Sequence, residues 1–257
     1  MSGDLSGRTY VLCHGAWHGG WCWRDIAAAL RSRGAEVRSP TMTGMGERRH
    51  LRHAFAGLST YIDDVCGVIE HGRLEDVILV GHSFGGMCIT GVADRLPDRI
   101  RRLVYLDACV PADGQSLVTQ SIANPPEVNE AMLAQLTSMA DQWLPAPSLE
   151  AIGADTAPER YRELELASMT EHPVSSLIEP LHFINGGPKA PCTYIVCDSP
   201  PMPNTSFVAH YEMAAAGAYG DHWTARRIAT GHMCMFTAPD ETLALLIEAG
   251  HDHRAGG

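Results

Sequence analysis

Strand-like and helix-like segments alternate along the first 110 residues, and this alternation constrains the fold more than any other feature of the sequence. Short apolar runs predict strands at residues 9–13, 36–39, 76–80, 100–106, 193–197 and 223–228. Helical spacing predicts helices at residues 23–32, 59–71, 87–95 and 240–249. Alternation at this interval is typical of a parallel sheet covered by helices. The sequence therefore predicts an α/β fold with a mostly parallel sheet and helices on both faces.

The alternation stops between residues 111 and 189. This stretch is helical in pieces, contains many prolines and has no good strand. We therefore expect a core formed by residues 1–110 and 190–257, with residues 111–189 inserted into it as a helical cap.

Composition narrows the partners and the compartment. A formal net charge of -11 argues against nucleic acid and anionic membranes, which require clustered positive charge. The eight cysteines form no Cys-x-x-Cys pair and predict buried thiols, and the histidines predict no metal site. No apolar run approaches the roughly 18 residues of a membrane span, and residues 1–7 lack the features of a signal peptide. We expect a cytoplasmic protein without a membrane partner; the sequence leaves its assembly open, with a homodimer as one option.

The sharpest motif is Gly81-His82-Ser83-Phe84-Gly85, which lies between a predicted strand and a predicted helix. A turn directly from strand to helix strains the backbone of Ser83, and glycines on both sides leave room for it. The hydroxyl would then stand at the carboxyl end of the sheet, beside the free N–H groups of a helix N-terminus. This setting predicts a nucleophile, whereas the alternative is a serine that only caps the helix.

A second motif, His14-Gly15-Ala16-Trp17-His18-Gly19-Gly20, follows the first predicted strand. A glycine-rich turn there can aim backbone N–H groups at a ligand. With Ser83 as nucleophile, the expected oxyanion hole is formed by the N–H groups of Ala16 and Phe84. His14 and His18 could be catalytic, but a role in bracing the loop is the preferred interpretation.

Together these stretches resemble the α/β-hydrolase superfamily, and within it the group of plant methyl-ester esterases, hydroxynitrile lyases and bacterial carboxylesterases. The resemblance covers nearly all of the chain outside the insertion, and its blocks are residues 11–23, 40–48, 77–87, 103–111 and 229–233. It implies the α/β-hydrolase fold, an ester hydrolase with a helical cap, and no cofactor. The lyases usually have Thr in place of Gly15 and Lys in place of Met233, so both positions match the esterases. His232 matches the family histidine, which comes last in chain order and acts as the base.

The acid of the expected triad departs from the plant pattern, which places Asp three residues after the Cys of a Tyr-Ile-Val-Cys strand. That position is Pro200 here, and Asp198 lies one residue after Cys197. The preferred candidate is Asp107, which follows the strand after that of the nucleophile, because the acid's role depends on geometry and not on one particular strand. Asp198 is the second choice.

The insertion is rich in Leu and Met, which predicts an apolar pocket over Ser83. Trp17, His82 and Trp143 are the expected substrate contacts. The predicted function is a carboxylesterase that cleaves a small to medium hydrophobic ester or lactone through an acyl-enzyme. The alternatives are a hydroxynitrile lyase or a carbon–carbon bond hydrolase on the same fold, or a ligand receptor without catalysis.

Overall fold

The structure is a computed structural model that describes residues 4–55, 57–203 and 205–251. Residues 1–3, which belong to the stretch without signal-peptide features, therefore lie outside the described residues. A central sheet contains six strands that all run parallel: β1 (Thr9–Cys13), β2 (Glu36–Arg38), β3 (Val77–His82), β4 (Ile100–Leu106), β7 (Cys192–Cys197) and β8 (Trp223–Ile228).

Helices pack on both faces of this sheet, and they enclose one apolar cluster on each face. The helices outside the insertion are α1 (Arg24–Arg31), α2 (Leu58–His71), α3 (Gly85–Arg95), α7 (Phe207–Ala215), α8 (Cys234–Thr237) and α9 (Pro239–His251). The predicted α/β fold is thus confirmed, and the eight cysteines are all buried as free thiols. Within the described residues, no helix is both long enough and apolar enough to cross a membrane.

Strand order explains where a site can form. The sheet runs β2-β1-β3-β4-β7-β8, so the chain leaves β1 toward one edge and then returns to build β3 on its other side. The loops that follow β1 and β3 therefore diverge, and open α/β sheets bind ligands in the crevice created there. In the β1–β3 register Cys13 lies opposite Gly81, which brings the loop after Cys13 next to the turn at Ser83.

Between β4 and β7 the chain forms three helices, α4 (Pro126–Thr137), α5 (Glu159–Ser168) and α6 (Val174–Ile178). The sequence indicated no good strand in this segment, and the strands found there are very short. Two short strands, β5 (Trp143–Leu144) and β6 (His172–Pro173), pair antiparallel. Each has only two residues, which is too few for an alternating pattern to be visible in the sequence.

Candidate active site

Ser83 sits at the turn between β3 and α3 with a φ of 57°. A positive φ is uncommon for a residue other than glycine, and such strain is found where the surrounding structure enforces it. The flanking glycines are required by contact: a Cβ at Gly81 would lie 2.7 Å from the carbonyl oxygen of Gly85, and one at Gly85 would lie 2.9 Å from that of Cys13. The turn therefore has the strained geometry expected of a nucleophile elbow.

Two backbone donors lie at this turn. Neither the Ala16 N–H nor the Phe84 N–H donates a hydrogen bond to any residue that the structure describes. Both residues line one cavity together with Ser83. Unpaired N–H groups beside a nucleophile can stabilise negative charge that develops on a bound carbonyl oxygen.

His232 and Asp107 form a buried pair. Asp107 follows β4, and His232 lies between β8 and α8. The His232 Nδ1 lies 2.6 Å from the Asp107 Oδ2, and the two side chains are 3% and 0% exposed. The Cys197 N–H donates to the other carboxylate oxygen of Asp107 at 3.0 Å. Both carboxylate oxygens thus accept an N–H, which fixes the carboxylate and leaves Nε2 of His232 as the ring nitrogen able to accept a proton.

Burial sets the charge of this histidine. Burial, with a smaller contribution from the charge of the nearby His18 ring, lowers the pKa of His232 from 6.5 to about 3. The ring is therefore neutral at pH 7, the state in which it can accept a proton. Burial raises the pKa of Asp107 above its usual value, against the effect of the Cys197 N–H.

Ser83 and His232 line a second, small cavity of about 20 Å³, whose wall also includes Gly15 and Met233. The Ser83 hydroxyl makes no hydrogen bond within the part of the chain that is described. Catalytic hydrogen bonds are often long without substrate and tighten when it binds. The two side chains thus share one compartment in which a reacting group could join them.

The remaining predicted contacts separate into two groups. Trp17 lines both cavities. His82 lines the small one, but its Nε2 donates to the carbonyl oxygen of His232 at 3.0 Å, and the two rings lie 4.4 Å apart. His82 therefore holds the backbone of His232 by a hydrogen bond and packs against its ring.

Trp143 and Asp198 are not brought to the site. Trp143 lies in a separate surface groove, with the guanidinium of Arg52 4.9 Å above its ring. Its neighbour Leu144 lines the cavity of Ser83, because adjacent residues of a strand point to opposite sides. Asp198 pairs with Arg227 at 3.1 Å, whereas the carboxylate paired with His232 is that of Asp107.

The loop histidines brace their own loop. His14 Nδ1 donates to the carbonyl oxygen of Gly15 at 2.8 Å, and its Nε2 accepts the Met42 N–H at 3.1 Å. His18 Nδ1 donates to the carbonyl oxygen of Ala16 at 2.6 Å. These contacts match the preferred interpretation of both residues.

The larger cavity, of about 280 Å³, contains residues that the sequence did not indicate. Phe207 begins α7, a helix that was not predicted, and its ring stacks on that of His232 at 5.2 Å. An amide-bearing corner is formed by Asn124 and Asn129, which bond to each other at 3.3 Å. The remaining wall is mostly apolar and includes Leu117, Val118, Met132, Leu136, Leu144, Leu177 and Met202. The buried residues of α7, Phe207, His210 and Ala214, are three and four positions apart, a helical spacing that could have revealed the helix.

Comparison with known proteins agrees with this geometry. The chain is 60% identical over 121 residues to a carbendazim hydrolyzing esterase of Nocardioides sp. (strain SG-4G), a match that covers 47% of this chain and 50% of the relative. It is 36% identical over 114 residues to putative methylesterase 11, chloroplastic, of Arabidopsis thaliana, which covers 44% of this chain and 29% of the relative. The matches therefore span half or less of the length of these curated relatives.

Solved structures share the fold over nearly the whole chain. An extracellular alpha/beta-hydrolase from a Paenibacillus species has a TM-score of 0.77 and 25% identity, with 95% of this chain and 100% of that chain covered. Polyneuridine aldehyde esterase has a TM-score of 0.73 at 19% identity, with 94% and 98% covered, and shows the fold alone. The model of the alpha/beta hydrolase family matches residues 10–245. With the parallel sheet, the elbow at Ser83 and this match, the chain belongs to the alpha/beta hydrolase family.

Proposed function

We propose that this protein is a serine hydrolase that cleaves carboxylic esters. One observation carries the proposal: a serine on a strained turn lines one cavity with two residues whose N–H groups are unpaired, and another with a neutral histidine that a buried carboxylate holds. A serine hydroxyl is a weak nucleophile at neutral pH and needs such a base. Two curated relatives are named as esterases, the carbendazim hydrolyzing esterase and a putative methylesterase, and these names support the same chemistry.

In the proposed reaction, Nε2 of His232 takes the proton of the Ser83 hydroxyl as its oxygen attacks the ester carbonyl. The N–H groups of Ala16 and Phe84 bind the oxyanion. His232 then returns the proton to the departing alcohol, and an acyl-enzyme remains. A water that gives its proton to His232 attacks the acyl carbonyl, and the acid leaves Ser83 as the hydroxyl is restored. Asp107 keeps the proton of the ring on Nδ1 throughout.

The larger cavity supports a small to medium hydrophobic ester or lactone as substrate. Its volume of about 280 Å³ and its Leu and Met side chains fit an apolar group of modest size. The segment between residues 111 and 189 supplies much of this wall, so we infer that it acts as a cap over the site. Carbendazim belongs in the substrate panel, because the relative at 60% identity is named for hydrolysing it.

Two residues beside the proposed base and nucleophile, Met233 and Gly15, favour an esterase over a lyase. Met233, next to the proposed base, is buried and carries no charge to hold an anionic leaving group. At Gly15 a Cβ would lie 2.9 Å from the Cβ of Ser83, so the Thr that the lyases usually have at this position would crowd the proposed nucleophile. A receptor without turnover would have no need of a neutral base beside an unpaired oxyanion hole, and its rate on an activated ester would be near background.

A fluorophosphonate probe tests the proposal directly, because it forms a covalent bond with an activated serine. We expect peptide mass spectrometry to find the label on Ser83. Ser83→Ala should remain folded and lower kcat for an aryl ester by about 10³ to 10⁶. Ser32→Ala, a change at an exposed serine on the protein surface, is the matched control. Turnover by Ser83→Ala close to that of the control would refute the mechanism.

A further inference from the structure

The cap is bonded to the loop after β1 (residues 14–20, the oxyanion loop) by three hydrogen bonds, two at Trp17 and one at His18. The Thr170 N–H donates to the carbonyl oxygen of Trp17 at 2.9 Å. The Trp17 N–H donates to Nδ1 of His172 at 3.4 Å. His18 Nε2 lies 2.9 Å from Oε2 of Glu165 on α5. Trp17 itself has a φ of 64°, an uncommon conformation that such bonds must hold.

Among these bonds, the one between His18 and Glu165 is ionic. Both ring nitrogens of His18 face acceptors, namely the carbonyl oxygen of Ala16 and the carboxylate of Glu165. Each nitrogen must therefore carry a proton, which makes the ring an imidazolium. Burial alone would lower the pKa of His18, but the charge and hydrogen bonds of Glu165 outweigh burial and raise it. The side chains are 4% and 0% exposed, so the pair is shielded from solvent.

Two peptide planes determine where the Ala16 N–H points. The first plane carries the Gly15 carbonyl and the Ala16 N–H, and the ring of His14 holds its carbonyl at 2.8 Å. The second plane carries the Ala16 carbonyl, which His18 holds at 2.6 Å, and the Trp17 N–H. His14 is anchored to the core through Met42, whereas His18 is anchored to the cap through Glu165. The peptide group before Ala16 is thus held by the core, and the peptide group after it is held by the cap.

We propose that Glu165 and His18 form a positioning pair that aims the Ala16 N–H at the oxyanion, so that the cap helps to complete the catalytic site as well as to line the pocket. This inference rests on the proposed function. Neither residue touches the reacting atoms; Glu165 holds the ring, the ring holds the Ala16 carbonyl, and the carbonyl fixes the direction of the donor. The pair therefore stabilises the transition state and contributes little to binding of the neutral ester.

Glu165→Gln tests the pair by removing its charge with almost no change of shape, and Glu163→Gln, at an exposed position of the same helix, is the control. We expect kcat for an aryl ester to fall about 10-fold to 100-fold, less than the 10² to 10³ expected when an oxyanion donor is removed outright. KM should stay within about twofold of the control, because only transition-state interactions are lost.

A second variant keeps the test decisive if the first does not fold. His18→Leu with Glu165→Leu leaves no charge buried, and apolar replacement of a buried ion pair is often neutral for stability. It also leaves the Ala16 carbonyl without its donor, so the same selective fall of kcat is expected. A kcat equal to that of Glu163→Gln, or a higher KM with unchanged kcat, would overturn the positioning role. Absence of turnover and of Ser83 labelling in the unmodified protein would instead refute the proposed function.

Discussion

Asp107→Asn should inactivate the protein without unfolding it, and the reason lies in the contacts of the carboxylate. The Cys197 N–H points at Oδ1 from 3.0 Å, so an asparagine at this position must direct its carbonyl oxygen there. Its NH₂ group then faces Nδ1 of His232, which lies 2.6 Å from Oδ2 in the unmodified protein. A donor facing Nδ1 forces the ring proton onto Nε2, the nitrogen that must accept the proton of Ser83. The variant therefore holds the base in the wrong tautomer.

The expected magnitude follows from the burial of the pair. With Asp107 and His232 0% and 3% exposed, water cannot replace the lost interaction. In serine proteases the corresponding change lowers kcat about 10⁴-fold, so we expect a loss of about 10³ to 10⁴ here. This loss equals roughly 4 to 5 kcal/mol of transition-state stabilisation. Steady-state hydrolysis of an aryl ester measures it, and thermal unfolding verifies that the variant is folded.

Asp198→Asn provides the matched comparison. Asp198 pairs with an Arg227 whose side chain is 58% exposed, and pairs of this kind contribute little. Its kcat should remain within a few-fold of the unmodified protein. A severe loss in Asp198→Asn together with near-normal turnover in Asp107→Asn would refute the assignment of the acid.

Two further outcomes concern stability. Burial lowers the pKa of five histidines, namely His14, His82, His172, His210 and His232. Below pH 6.5 the unfolded chain therefore binds more protons than the native protein. Urea unfolding should show that the free energy of unfolding falls as the pH decreases from 6.5 toward 4. The raised pKa of Asp107 opposes this trend, as does the raised pKa of His18 close to pH 6.5, and a flat stability profile over that range would contradict the reasoning. Gly86→Ala should lower the free energy of unfolding by about 1 to 3 kcal/mol, because the new Cβ would lie 2.0 Å from the Cys109 carbonyl oxygen. Gly67→Ala is the control: no atom lies within 4 Å of a Cβ there, so this change should be neutral or stabilising.

The strained turn at Ser83 could be predicted from the sequence because each of its requirements is local. The strand, the two glycines and the helix are adjacent to Ser83 in the chain, so their steric consequences can be derived from residue types alone. The glycine-rich loop after β1 could likewise be located from the sequence, whereas its position beside β3 is set by the pairing of β1 with β3. The order of the strands, and hence the crevice, comes from the tertiary structure, because alternation alone does not say which strands are neighbours.

Other parts of the site depend on which segments meet in three dimensions. Asp107 and Asp198 both follow a strand, and only the packed sheet decides that the first faces His232 while the second faces Arg227. Trp143 and Leu144 are equally apolar neighbours, and the side of a two-residue strand that turns toward the cavity cannot be inferred from composition.

The pair of His18 and Glu165 shows the limit most clearly, because 147 positions separate the two residues and no local pattern connects them. The sequence by itself determined the strained turn at Ser83, because short-range sterics act between neighbouring residues. Only the tertiary structure decided which distant charges are buried together, because burial and ion pairing depend on the packing of the whole chain.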